Sequence, residues 1–223
     1  MSATPGAAAN APCRVHLFRH GQTAMNVENR FRGLLDVPLS EIGRAEAWDA
    51  ARSLVGSGIT AVYSSPLERA REVARAIASA TGIQAPTSLD GLINLDYGRW
   101  EGLTREECAV ADPEEWLTYA RDPELATCPG GEGLAHAADR VLAALRTIGE
   151  SHRGETVAAV SHGVMLRLAV LRVAEPSDDD WQFSLPTGSA LTFVVEAGRI
   201  ALASPLDRSI PKAVPLRVLG KTG

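Results

Sequence analysis

Three short apolar runs, in RVHLFRHG, ITAVYSS and TVAAVSHG, constrain this chain more than any other feature. Each is too short for a typical helix and nearly continuous in apolar residues, the pattern of a strand buried on both faces. They read as strands from Arg14 to Phe18, Ile59 to Tyr63 and Thr156 to Val160. Helical segments stand between or after them. In PLSEIGRAEAWDAARSLVGSG, Ser40 is placed to cap the helix and Gly56 to stop it. In PLERAREVARAIASATG, Pro66 opens the helix and Gly82 closes it, with Leu67, Ala70, Val73, Ala74 and Ile77 on one face. A further helix runs from Val164 to about Val173. Alternation of this kind predicts an α/β fold whose mostly parallel, doubly wound sheet is covered on both sides.

The remaining segments are less regular. Gly91 to Gly133 carries Trp100, Trp116 and Tyr119 among prolines and glycines, which predicts short helices and loops forming an insertion or lid over the sheet. Within it, Asp112 is placed to cap a helix with Pro113 in its first turn. A long helix is expected from Leu134 to about Ser151. ALTFVVEAGRIALAS reads as a hairpin around Glu196-Ala197-Gly198. The expected layout is a disordered leader at 1–12, one domain at 13–204 containing the 91–133 insertion, and an irregular tail at 205–223.

Composition excludes several classes. A chain of 223 residues with 45% hydrophobic content suits one domain. No apolar stretch is long enough to span a membrane. The leader lacks a basic start and a core of large apolar residues, so it does not read as a signal peptide. Cys13, Cys108 and Cys128 are odd in number and scattered, which argues against a disulfide framework or zinc site and for a reducing cytoplasm. The net charge of -5 argues against nucleic-acid binding.

Chemistry is expected at strand ends. His20 and His162 each follow a predicted strand, and each precedes a glycine, Gly21 or Gly163. The carboxyl ends of parallel strands form the ligand crevice of an open sheet, so the two can share one site. Arg19 precedes His20, Thr23 and Asn26 follow it, and Arg69 opens the helix after YSSP. Guanidinium forks beside helix N-termini make a pocket for phosphate. Arg44, Arg71 and Arg75 read as solvated helix residues.

Five ordered pieces carry a resemblance: LFRHGQTAMNVENRFRG, YSSPLERARE, DYGRWEG, PGGEG and VSHG. Together they resemble the histidine phosphatase superfamily, in its phosphoglycerate-mutase-like branch. The resemblance implies a three-layer α/β/α sandwich and a phosphohistidine intermediate, with no metal or cofactor. By position, His20 is the implied nucleophile. Arg19, Arg69 and a protonated His162 form the implied phosphate clamp, with Thr23, Asn26, Gly163 and, at the pocket edge, Arg30 as further contacts.

One position departs from the pattern. The family's acid, usually Glu, stands three residues before the aromatic of DYGxWEG, and Tyr97 therefore puts Asn94 there. An amide cannot transfer a proton at neutral pH, and general acid–base help is worth about 10²–10⁴-fold. Either Asp96, Glu101 or Glu132 replaces it, or the substrate is an acyl or anhydride phosphate that needs no acid, or the chain is a weakened phospho-ligand-binding pseudoenzyme. The middle segment has Arg105 and Arg121 but no adjacent arginine pair of the kind mutases use, which favours phosphatase over mutase-type phosphotransfer. The expected partner is a small phosphorylated substrate, and a homodimer is compatible with the resemblance.

Overall fold

The computed structural model describes residues 11–174 and 185–203. Most of the expected leader and the whole expected tail lie outside them. Six strands form one sheet: β1 (Cys13–Arg19), β2 (Ile59–Ser64), β3 (Thr87–Ser88), β4 (Thr156–Ser161), β5 (Ala190–Glu196) and β6 (Arg199–Leu202). Their order is β3-β2-β4-β1-β5-β6. Strands β3, β2, β4 and β1 are mutually parallel, while β5 is antiparallel to both β1 and β6. The expected parallel sheet is therefore present, with the predicted hairpin forming a mixed edge.

Side chains on β1 and β4 divide by period two between the faces. Val15, Leu17, Val157 and Ala159 enter one core with α6 (Leu134–Ser151) and α7 (Gly163–Val173). Phe18, Ala158 and Val160 enter the other with α2 (Glu41–Ser53) and α3 (Glu68–Thr81). This explains why the β4 run is apolar without alternation: both of its faces are buried.

Helix ends differ from expectation where a neighbour intervenes. Ser40 caps α2 as predicted, accepting from Gly43 N–H at 3.1 Å. That helix ends at Ser53, and Gly56 instead turns the chain at a φ of 74°. Helix α3 begins at Glu68 rather than Pro66, where Asp36 from a distant loop accepts Glu68 N–H at 2.7 Å. Asp112 precedes α5 (Pro113–Arg121) but makes no side-chain cap. Its carboxylate accepts from Trp100 Nε1 at 2.8 Å and pairs with Arg99. That bond joins the middle segment into one unit, with α4 (Arg105–Ala111) and α5 packing Phe31, Tyr97, Trp100, Trp116 and Tyr119 into a buried aromatic cluster. The expected insertion is packed against the core through this cluster. Among the described residues, no helix is long and apolar enough to cross a membrane.

The loop after β1, which leads into the short helix α1 (Ala24–Val27), is fixed to α2 at very close range. Gln22 O accepts from Ser40 N–H at 2.8 Å, and Glu46 accepts Gln22 N–H at 2.7 Å. A Cβ on Gly43 would lie 2.1 Å from Gln22 O, and one on Gly21 would lie 2.4 Å from Gly43 O. Helix propensity alone favours alanine over glycine by about 1 kcal/mol. We expect Gly43→Ala nonetheless to destabilise by about 1–3 kcal/mol, because backbone has to move to admit the methyl group. Chemical denaturation of the variant measures this, and unchanged or greater stability contradicts the close-packing account.

Candidate active site

The register Arg19↔Ser161 between parallel β1 and β4 delivers the next residues, His20 and His162, side by side at the carboxyl edge of the sheet. Their ring centroids are 5.1 Å apart. His20 Nδ1 lies 2.7 Å from Gly21 O. A carbonyl only accepts, so Nδ1 carries the hydrogen and Nε2 keeps its lone pair. Burial, then the charges of Arg69, Arg32 and Arg19, hold the His20 pKa well below its ordinary value. Its imidazole is therefore neutral and needs no deprotonation before it attacks.

His162 differs from expectation. Burial and the neighbouring Arg69 also push its pKa well below the usual range, so it is neutral rather than protonated. Its Nε2 lies 2.8 Å from Ser65 Oγ, which itself accepts Leu67 N–H at 3.3 Å. The serine hydroxyl can donate to Nε2, and in that arrangement the ring hydrogen stands on Nδ1.

Arg69 leaves the first turn of α3 and is fully buried. It donates to Leu35 O at 2.7 Å and Gly33 O at 2.8 Å. Arg19 donates to Leu185 O and lies across Gly163, where an added Cβ would sit 3.1 Å from its Nε. Burial is the main reason that both guanidinium pKa values drop to about 10, and both remain charged at neutral pH.

Among the described residues, five buried side-chain nitrogens and oxygens lack a hydrogen-bond partner: Arg19 Nε, Arg32 Nε, Arg69 Nε, Asn94 Oδ1 and His162 Nδ1. Buried polar atoms are ordinarily paired, and all five of these exceptions belong to this cluster. Four of them are nitrogens able to donate. The set is built to receive an acceptor-rich group. It borders a cleft of about 290 Å³ lined by Arg19, Arg32, Asn94, His162 and Arg167 among others.

Residues 15–208 match the family model of the histidine phosphatase superfamily, branch 1. The chain belongs to that superfamily. It is 35% identical over 151 residues to phosphoserine phosphatase 1 of Hydrogenobacter thermophilus, covering 68% of this chain and 71% of that protein. It is 34% identical over 163 residues to a metal-independent phosphoserine phosphatase of Arabidopsis thaliana, covering 72% and 68%. The solved structure of Bacillus stearothermophilus YhfR superimposes with a TM-score of 0.77 at 31% identity, covering 86% and 95% of the two chains.

Of the residues that the superfamily resemblance marks, the structure brings together His20, Arg19, Arg69, His162, Gly163, Asn26 and Asn94. Thr23 is fully buried, and its N–H and Oγ1 both donate to Asn26 Oδ1 at 2.9 Å, which leaves the amide end of Asn26 for the cleft. Arg30 stands at the rim, where Glu28 and Glu107 pair with it. Asn94 donates through Nδ2 to Gly33 O at 3.1 Å. The opposite amide orientation would set two oxygens against each other.

The three substitute acids are not brought to the cleft lining. Asp96 accepts Gly98 N–H at 2.8 Å, and Glu101 accepts Leu34 N–H at 2.7 Å. Glu132 is held by Arg140 and His136, and Arg140 in turn donates to the carbonyls of Gly91, Ile93 and Asn94. Sequence reasoning assigned no role to Arg32 or Arg167. Arg32 stands in the RFRG run two residues past Arg30, and Arg167 is one helical turn beyond Gly163, a spacing that puts both on one face.

Two buried neutral histidines give stability a pH dependence. An unfolded histidine has a pKa of about 6.5, whereas the folded values lie below it. Below about pH 6.5 the unfolded chain therefore binds protons that the folded chain does not, and stability falls as pH falls. Denaturation midpoints measured from pH 7.5 to 5 should show this loss. The His20→Asn/His162→Asn double variant should reduce the slope by about two protons, and an unchanged slope would mean the imidazoles are not buried neutral.

Proposed function

We propose that this protein is a phosphatase that hydrolyses a small organic phosphate through a phosphohistidine on His20. The convergence of the five unpaired buried polar atoms around a neutral, tautomer-fixed imidazole supports this reading most directly. The relatives named as phosphatases agree with it.

In the first step His20 Nε2 attacks phosphorus, and the bond from phosphorus to the leaving oxygen breaks with its electron pair going to that oxygen. Charge on the phosphoryl oxygens is met by Arg19, Arg69 and His162, so catalysis rests on placement and electrostatic stabilisation. In the second step water adds to phosphorus, and the pair of the broken P–N bond returns to Nε2. The water protons leave on dihydrogen phosphate, and the neutral imidazole is regenerated.

Asn94 determines which substrates suit this scheme. It provides no proton to the departing oxygen, and no carboxylate among the described residues lines the cleft. Leaving groups that are stable as anions, such as the carboxylate of an acyl phosphate, need no proton and should react best. Of the two middle-segment arginines, Arg105 lines the cleft, whereas Arg121 is exposed and stands outside its lining.

Enzyme incubated with labelled acetyl phosphate and quenched in alkaline detergent should carry an acid-labile, alkali-stable phosphoryl group that His20→Ala lacks. If both proteins release phosphate equally, His20 is not the nucleophile. Asn94→Glu should raise kcat on alkyl phosphate esters by about 10²-fold or more, while the acyl phosphate gains much less. The missing acid also favours a second reading, a phospho-ligand-binding pseudoenzyme. That reading predicts vanadate binding dependent on Arg19 and Arg69 with no turnover of any substrate.

A further inference from the structure

The carbonyls of residues 91–94, the stretch that ends on Asn94, are held by side chains. Arg140 of α6 holds three of them. Its Nη1 donates to Ile93 O at 2.9 Å and Gly91 O at 3.2 Å, and its Nη2 donates to Asn94 O at 3.2 Å. Ser161, the buried residue before His162, donates through Oγ to the remaining carbonyl, Leu92 O, at 2.7 Å. Side chains from α6 and β4 thus supply the partners that buried backbone groups require.

Arg140 has no donor left over. A guanidinium carries five N–H groups. Three go to those carbonyls, and the others, on Nε and Nη2, form a fork on the two carboxylate oxygens of Glu132 at 3.0 and 2.8 Å. Glu132 is fixed from its other side. Its N–H donates to Asp96 O at 2.9 Å, and a Cβ on Gly131 would lie only 2.4 Å from the same carbonyl. The run PGGEG therefore grips the chain just after residue 94, while Arg140 grips it up to residue 94. Gly91 lies directly on α6, where an added Cβ would be 2.7 Å from Ala144 Cβ, one turn beyond Arg140.

Arg140 stands outside the cleft lining, so any effect it has on the reaction passes through residue 94. That side chain shares Gly33 O with Arg69 and keeps Oδ1 unpaired. We propose that Arg140, oriented by Glu132, is a positioning residue that sets where the side chain of residue 94 stands in the cleft. The proposal rests on the phosphatase reading for what residue 94 faces there. It gives Glu132 a role other than that of a substitute acid. A lysine would keep the charge, but an ammonium with three donors cannot hold three carbonyls and both carboxylate oxygens at once.

Two readouts on the full chain test this, and the first needs no turnover. In NMR spectra of isotope-labelled protein, the Asn94 side-chain amide is assigned by its absence in Asn94→Asp. It should exchange hydrogens with solvent slowly, because it is buried and bound to Gly33 O. Arg140→Met should speed that exchange by about tenfold or more while the main-chain amides of α6 stay protected. Arg140→Lys should fall between Arg140→Met and the parent, and Glu132→Gln should shift exchange in the same direction. The second readout is a double-variant comparison. Asn94→Glu, expected to raise kcat on alkyl phosphate esters by about 10²-fold or more, should raise it by less than about tenfold in the Arg140→Met background. A role in stability alone would leave that gain equal in both backgrounds.

Unchanged exchange in Arg140→Met, or the full gain from Asn94→Glu in that background, overturns the positioning role. Fast exchange in Arg140→Met, in a protein that releases phosphate from no ester or acyl phosphate, overturns the phosphatase reading and leaves the hold of Arg140 on residue 94 standing. Thermal unfolding shows whether each variant folds. Should Arg140→Met not fold, Arg140→Lys and Glu132→Gln carry both comparisons, and parent-like exchange and gain in both overturn the role.

Discussion

A guanidinium with no exposed surface sits beneath the cleft, and much of the site depends on how it is held. Arg69 is charged and fully buried, an arrangement that is unfavourable unless its donors are met. The carbonyls of Leu35 and Gly33 meet two of them, and Asn94 shares the Gly33 carbonyl. The loop that brings those carbonyls is also the loop whose Asp36 caps the helix carrying Arg69. Loop, helix and Asn94 therefore fix one another. Burial, and then the charges of Arg69 and its neighbours, keeps both imidazoles neutral, so that nucleophile and clamp coexist at one pH.

The same logic explains the tightness of the loop after β1. The His20 tautomer depends on a single carbonyl, that of the adjacent Gly21. Gly21 sits so close to Gly43 of α2 that neither position has room for a side chain. Any displacement of that loop would change both the direction of Nε2 and the carbonyl that orients it. On the opposite wall, the Asp112–Trp100 bond and the aromatic cluster hold the middle segment against the core, so Asn94 and Tyr97 present a fixed surface to the cleft.

Much of this was legible from residue order. Apolar runs of strand length, a serine cap and a helix-closing glycine carry local signals, and β1, β2, α2, α3 and α6 lie close to where those signals put them. Helix starts were less legible where the cap came from elsewhere. Glu68 opens α3 because Asp36 reaches it across thirty-odd residues of chain, and Asp112 leaves its own helix uncapped to bind Trp100. Local propensity is blind to such partners. Arg32 and Arg167 went unassigned for a related reason. An arginine in a loop or on a helix looks the same in sequence whether it faces solvent or a cleft.

The sequence by itself determined the α/β class, the pairing of His20 with His162 at strand ends, the arginines beside them, and the amide at position 94. These follow from residue identity and short-range periodicity. Only the tertiary structure decided the proton states, the fate of the substitute carboxylates and the charge of the cleft. Protonation depends on burial and on charges brought in from distant segments. Asp96, Glu101 and Glu132 sit near the cleft in sequence terms, yet each is claimed by a backbone N–H or an arginine that folding delivers. The charge of the cleft is a sum over β1, the loop after it, α3, α4 and α7, and no single segment contains it.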